Sequence, residues 1–171
     1  DSAPDRTDYP RVIDLKKNLL RAAAALAAAA LLPTGIVQAA PEISAKSAIV
    51  MDAAGGSILY EKNADEKSLI ASTTKIMTGL LVCEGCNMDT VVTVPPEAAG
   101  IEGSSLYLKA GEELSVEALL YGMMLQSGND AAVALAIHAA GSVEQFVCAM
   151  NARAWELGLR DTHFANPNGL D

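Results

Sequence analysis

Aromatic side chains are scarce in this chain. One Trp, two Phe and four Tyr make up 4% of its 171 residues, although 51% are hydrophobic. A sizeable core is affordable, but Ala, Leu, Val, Ile and Met have to fill it. Basic residues are outnumbered too: 12 Lys and Arg face 21 Asp and Glu, a formal net charge of −9. The imbalance is uneven. Residues 1–39 hold five basic and four acidic residues, and residues 40–171 hold seven and seventeen, so the larger part carries −10. An acidic body argues against nucleic acid as a partner. Long hydrophobic runs are missing as well. The apolar run Ala22 to Leu32 has eleven residues, against the ~20 that a spanning helix needs.

Histidine and cysteine are few. Cys83 and Cys86 form a C-x-x-C, but zinc would need two further ligands. The two histidines, His138 and His163, lack paired spacing. No metal site is expected. Cys83 and Cys86 are expected as surface or half-buried thiols, with a local disulfide open to them in an oxidising compartment. Cys148 is expected as a small core residue, and Phe146 and Trp155, at helical spacing, as core.

The first forty residues have the layout of a secretory signal. Lys16, Lys17 and Arg21 form a positive region, Ala22 to Leu32 the apolar run, and Pro33 and Gly35 break it. Val37-Gln38-Ala39 offers small residues where a signal peptidase reads, placing cleavage before Ala40. Residues 1–11 are polar and precede this layout, so a true start near Val12 is expected. The domain reading is therefore 1–39 as upstream extension plus signal peptide and 40–171 as the folded body, exported from the cytoplasm.

Within that body, Ser47–Met51 and Ser57–Tyr60 flank Ala53-Ala54-Gly55-Gly56, a hairpin signal. Ser72 to Glu84 reads as a buried helix with Ile76, Met77, Leu80 and Leu81 on its apolar side. Thr90–Val94 reads as a short strand closed by Pro95-Pro96. Three helices follow a Gly-rich loop at 100–105: Val116–Leu125, Asp130–Ala140 and Val143–Leu157. Ser115 is a plausible N-cap, Ser142 with Gln145 resembles a capping box, and Gly158 stops the last helix. Arg160 to Asp171 reads as loop. No internal repeat is visible. Early strands and central helices give an α/β two-layer pattern with an incomplete sheet.

Two motifs carry chemistry. Ser72-Thr73-Thr74-Lys75 opens a helix, where positions three apart share a face, so Lys75 reaches back to the Ser72 hydroxyl. A serine becomes a nucleophile when a base removes its proton, and an amine serves at neutral pH when burial lowers its pKa. The first helical turn adds free N–H groups for an oxyanion. Alone the motif is weak, because a helix-capping serine and a solvated lysine match it equally. The second motif, Ser127-Gly128-Asn129, is a tight turn between two apolar helices, with Gly128 expected to take a backbone conformation other residues resist. Its hydroxyl could relay a proton to a leaving amine. Its carboxamide could donate to a substrate carbonyl and accept from an ammonium. A plain helix cap is the competing reading.

Together the motifs are specific. From about Ala48 to Asp171 the sequence resembles the serine D-alanyl-D-alanine carboxypeptidases, the low-molecular-mass penicillin-binding proteins. The likeness includes Ala48-Ile49-Val50-Met51-Asp52, Gly56-Ser57-Ile58-Leu59-Tyr60, the Ser72 block, Gly103-Ser104-Ser105-Leu106, the Ser127 block, Leu157-Gly158-Leu159 and Asn168-Gly169-Leu170-Asp171. It implies Ser72 as acylated nucleophile, Lys75 as general base, Ser127 as proton relay and Asn129 as a substrate-binding group. It also implies the penicillin-binding, β-lactamase-like transpeptidase fold, and no metal or organic cofactor. The implied substrate is a peptidoglycan stem peptide ending in D-Ala-D-Ala, with β-lactams as inhibitors and membrane association through a C-terminal segment. The third motif of that family, Lys-Thr-Gly on a strand, does not occur in the 171 residues. The expectation is therefore the front portion of a catalytic domain, lacking its C-terminal strands, inactive in hydrolysis and poorly soluble by itself, with an open edge on the hairpin. A serine β-lactamase on the same fold is disfavoured by Gly128, since class A enzymes carry Ser-Asp-Asn there. A non-catalytic penicillin- or wall-binding fragment is the other rival.

Overall fold

The computed structural model describes residues 17–24 and 41–170. The proposed cleavage site, most of the apolar run before it, residues 1–11 and Asp171 lie outside the described residues. Residues 17–24 are helical. No single helix among the described residues is long and apolar enough to cross a membrane. The chain divides into two compact units, residues 1–64 and 65–171.

The first unit contains the hairpin. Strand β1 (Ala48–Met51) pairs antiparallel with β2 (Ile58–Lys62), with an irregularity between Val50 and Met51. The turn closes locally: Asp52 accepts the Gly55 amide at 2.5 Å, and Gly56 takes φ +69°. Lys62 Nζ donates to the carbonyls of Ile43 and Ala45 at 2.9 and 2.7 Å, which lays the 41–46 segment alongside β2. Ile49, Val50, Met51, Ile58 and Leu59 are all exposed.

In the second unit a single 3-10 turn (Ala71–Thr73) runs into α1 (Thr74–Gly85). Strand β3 (Val91–Thr93) pairs antiparallel with β4 (Glu113–Ser115), and Val92 points inward while Val91 faces out. The sequence signalled β3 but not β4, whose three residues become a strand only by pairing across the intervening loop. Then come α2 (Val116–Gln126), α3 (Asn129–Ala140) and α4 (Val143–Glu156). The caps are local chemistry. Ser115 Oγ accepts the Ala118 amide at 3.1 Å, Ser142 Oγ accepts the Gln145 amide at 3.2 Å, and Gly158 leaves α4 at φ +80°.

Helix α3 is the hub. Residues 129–136 are buried without a break, and its alanines let α2 and α4 approach closely, as an all-round apolar helix requires. Leu119, Met123, Leu135, Phe146 and Met150 fill the core. Arg153 ties α4 to the end of α1 through Glu84 at 2.7 Å.

Three expectations about burial fail. Cys148 is exposed rather than core, because it falls on the solvent side of α4; all three cysteines are free thiols. Trp155 is 64% exposed, with the Arg160 guanidinium stacked over its ring. Ile76 is also exposed, because the inward face of α1 is formed by Lys75, Thr78 and Gly79 together with Met77 and Val82.

Candidate active site

The turn into α1 is held open by an unusual backbone. Ala71 takes φ +46°, in the left-handed region that alanine enters at a cost. Thr73 Oγ1 donates to the Ile70 carbonyl at 2.6 Å. Ser72 then sits exposed in the first turn, where backbone N–H groups have no acceptor inside the helix.

Lys75 follows on the same face but is only 2% exposed. Its Nζ lies 3.2 Å from Ser72 Oγ, 2.7 Å from Asn129 Oδ1 and 2.8 Å from the Asn168 carbonyl oxygen. All three partners are neutral oxygens. Burial without a countercharge pushes the amine's pKa below its ordinary value. In its neutral form the amine has two hydrogens and one lone pair. The hydrogens match Asn129 Oδ1 and the Asn168 carbonyl, and the lone pair then faces the Ser72 hydroxyl.

Ser127 approaches Ser72 from the other side, its Oγ donating to Ser72 Oγ at 2.9 Å. It ends α2 at φ +56°, ψ +33°. The strain expected at the neighbouring glycine therefore falls on the serine. Gly128 has an ordinary φ of −60°. Its lack of a side chain answers to space instead: a Cβ there would sit 3.0 Å from Leu106 Cγ and 3.2 Å from Asp130 Oδ1.

Asn129 is buried, and both ends of its carboxamide are engaged. Oδ1 takes the Lys75 amine, and Nδ2 donates to the Glu102 carbonyl at 2.8 Å. Its backbone amide donates to the Ser104 carbonyl at 2.8 Å. Asn129 thus bridges the lysine and the 100–105 loop. Gly103, at φ +82°, leaves room for it: a Cβ there would lie 2.9 Å from Asn129 Nδ2.

Two participants escape the motifs. Asp130 is completely buried; its carboxylate accepts Ser105 Oγ at 2.6 Å and the amides of Leu106, Leu108 and Ala131 at 3.0, 3.0 and 2.9 Å. Burial pushes this carboxyl up, but the four hydrogen bonds outweigh it, and the pKa lies below the ordinary carboxylate value. Asp130 fixes the loop whose carbonyls hold Asn129. Its adjacency to the second motif was the one signal available. Asn168 supplies the backbone carbonyl for Lys75, and the loop reading of Arg160 to Asp171 held no sign of that destination. The segment read as loop, 160–170, does lack helix and strand, yet Pro167 and Asn168 are buried.

The structure therefore brings Ser72, Lys75, Ser127 and Asn129 into one hydrogen-bonded cluster. The C-x-x-C and both histidines take no part in it. Among the described residues no group of three or more His, Cys, Asp and Glu could hold a metal ion.

Known proteins share this arrangement of sequence and fold. The peptidase S11 family, described as D-alanyl-D-alanine carboxypeptidase, matches residues 34–171. D-alanyl-D-alanine carboxypeptidase DacF of Bacillus subtilis is 45% identical over 131 residues, covering 74% of this chain and 34% of its own length. DacC of Escherichia coli is 44% identical over 143 residues, 77% of this chain and 36% of its own. The chain spans about a third of the length of these curated relatives. Among solved structures, DacD from Francisella tularensis superimposes with a TM-score of 0.75 at 38% identity, over 85% of this chain and 37% of that one. Penicillin binding protein 6B from Escherichia coli gives 0.73 at 39%, over 80% and 47%. The mixed helix-and-strand architecture is thus that of the penicillin-binding carboxypeptidases, over part of their domain, and the chain belongs to the D-alanyl-D-alanine carboxypeptidase family.

Proposed function

We propose that the protein of this chain is an exported serine D-Ala-D-Ala carboxypeptidase that trims peptidoglycan stem peptides and is acylated by β-lactams. The observation that carries the reading is the Lys75 amine, buried against neutral acceptors and 3.2 Å from Ser72 Oγ. Neutral Lys75 takes the Ser72 proton as Oγ attacks the carbonyl between the two D-alanines. The oxyanion forms beside the first turn of the helix, whose amides and dipole stabilise it. The Ser127 hydroxyl gives its proton to the leaving amine and regains one from the Lys75 ammonium, so free D-alanine departs and Lys75 is neutral again. Water then attacks the acyl-serine, giving a proton to Lys75, which returns it to Ser72 Oγ as the ester bond breaks and the shortened peptide leaves. In this reading Asn129 is the substrate-binding group, donating through its carboxamide to the substrate carbonyl.

Export is supported by the charged and apolar layout before Ala40, and membrane association through a further segment by family resemblance alone. N-terminal sequencing of the protein recovered from a secreting bacterium tests the first; Ala40 at the N-terminus is expected, and intact Lys16 to Ala39 on the product would contradict it. The activity itself is tested on the full-length protein, by D-alanine release from a diacylated Lys-D-Ala-D-Ala peptide. Release is expected, and Ser72→Ala abolishes it while leaving the fold intact. Equal release by Ser72→Ala would remove the proposal.

A further inference from the structure

Lys75 and Thr78 lie one turn apart on the inward face of α1, and they hold two consecutive carbonyls of the distant 160–170 segment. Lys75 Nζ donates to the Asn168 oxygen at 2.8 Å, and Thr78 Oγ1 to the Pro167 oxygen at 2.6 Å. Thr78 is completely buried, and so is Pro167. The same turn is closed from within by Asn166. Its Oδ1 accepts the amides of Asn168 and Gly169 at 3.2 and 2.6 Å, and its Nδ2 donates to the Leu170 carbonyl. Gly169, at φ +80°, lies so close to the Ala71 carbonyl that a Cβ would collide with it. The turn is therefore clamped at three points around one carbonyl, and that carbonyl faces the amine.

We propose that Thr78 and Asn166 are positioning residues: they hold the 166–170 turn over Lys75, so that the Asn168 carbonyl orients the amine toward Ser72 and the turn keeps water from it. The proposal rests on the reading of Lys75 as the base. Neither side chain touches Ser72 or needs to touch a substrate. Each acts through a backbone oxygen, which no side-chain motif would reveal. The hydroxyl of Thr78 matters because a valine of the same shape would leave the Pro167 carbonyl buried without a donor. A loosened turn admits water to Lys75 and relieves the burial that depresses its pKa, so the amine moves back toward the ordinary lysine value.

The test is a pH titration of the Lys75 side chain by 13C NMR of labelled lysine, with the signal assigned by its loss in Lys75→Arg. In Thr78→Val and Asn166→Ala the midpoint is expected to rise by about one pH unit, making the neutral amine ~10-fold rarer below the midpoint. Acylation by a labelled penicillin on the acid side is expected to slow by about the same factor. Thr78→Ser, which keeps the hydroxyl, is expected to titrate like the wild type. Unchanged midpoints in folded Thr78→Val and Asn166→Ala would overturn the proposal. So would loss of the fold in both, since the two residues would then be structural only. If only Thr78→Val fails to fold, Asn166→Ala decides. The titration needs no turnover: absence of acylation in the wild type counts against the proposed function alone, whereas acylation with unmoved midpoints counts against the clamp alone.

Discussion

The hydroxyls of Ser72 and Ser127, 55 residues apart in sequence, lie 2.9 Å from each other. One lies within the 3-10 turn that opens α1 and the other ends α2, so two separate elements, not one motif, bring these hydroxyls together. Ser127 holds its place at φ +56°, a conformation that a glycine would adopt more easily. Ser127→Gly is therefore expected to raise stability by about 0.5–1 kcal/mol while slowing acylation ~100-fold, the lower end of what a proton-transfer group contributes. Chemical denaturation and penicillin acylation rates check the two halves. A variant that is both less stable and equally fast would show that Ser127 is neither strained nor a relay.

Lys75 is expected to set the acid limb of activity. Its pKa is lowered by burial, so acylation rises with pH and levels off at a midpoint below the ordinary lysine value of about 10.4. Lys75→Arg keeps a cation that does not deprotonate, and is expected to acylate at least ~100-fold more slowly at neutral pH. Stopped-flow acylation across pH measures both. Near-normal rates in Lys75→Arg would make the lysine an electrostatic helper.

Two glycines differ in what an added methyl would meet: strain and a backbone clash at Gly169, side-chain crowding alone at Gly128. At Gly169, φ is +80° and an added Cβ would run into the Ala71 carbonyl, so Gly169→Ala is expected to displace the turn over Lys75 and cost both stability and acylation. At Gly128, φ is ordinary and the neighbours are the Leu106 side chain at 3.0 Å and Asp130 Oδ1 at 3.2 Å. Gly128→Ala is expected to be an overpacking variant, destabilised by about 1–3 kcal/mol. Thermal melts and acylation rates on the two proteins rank them. Gly128→Ala being the harsher of the two would reverse the assignment.

Asp130 ties acid stability to the site. Its folded pKa lies below the ordinary carboxylate value, so the folded state binds fewer protons than the unfolded state near pH 4. Its contribution is present above the unfolded pKa, about 3.9, and is lost as pH falls through the folded value. Asp130→Asn is expected to cost on the order of 2–3 kcal/mol at pH 7, because a carboxamide nitrogen would face donors. It is also expected to flatten the loss of stability between pH 4 and the folded value. Urea unfolding at pH 7 and pH 3 measures this; an unchanged pH slope in Asp130→Asn would place the acid sensitivity elsewhere.

The helices and their caps were legible because their signals are local. Apolar spacing, Ser115, Ser142 and Gly158 each act within one turn, and the ends of α2, α3 and α4 fell within a residue of the sequence reading. The hairpin was legible for the same reason. What stayed hidden depends on distant partners. The three residues of β4 become a strand only against β3. The Asn168 carbonyl reaches Lys75 from 93 residues away, and Asp130 finds its donors 22 to 25 residues earlier as well as next door. Gly128 misled because glycine suggests backbone freedom, whereas here the packing of Leu106 demands it and the serine before it takes the strain. The residue types of the reactive cluster were visible in two short motifs; their orientation was not, since it is set by backbone oxygens.

The central claim is that the buried Lys75 makes Ser72, and no other residue, the nucleophile. Incubation with a labelled penicillin, followed by proteolysis and mass spectrometric mapping, tests it most directly. The account predicts one adduct, on the peptide containing Ser72, absent from Ser72→Ala. An adduct on Ser127 or any other side chain, or one that persists in Ser72→Ala, would contradict it.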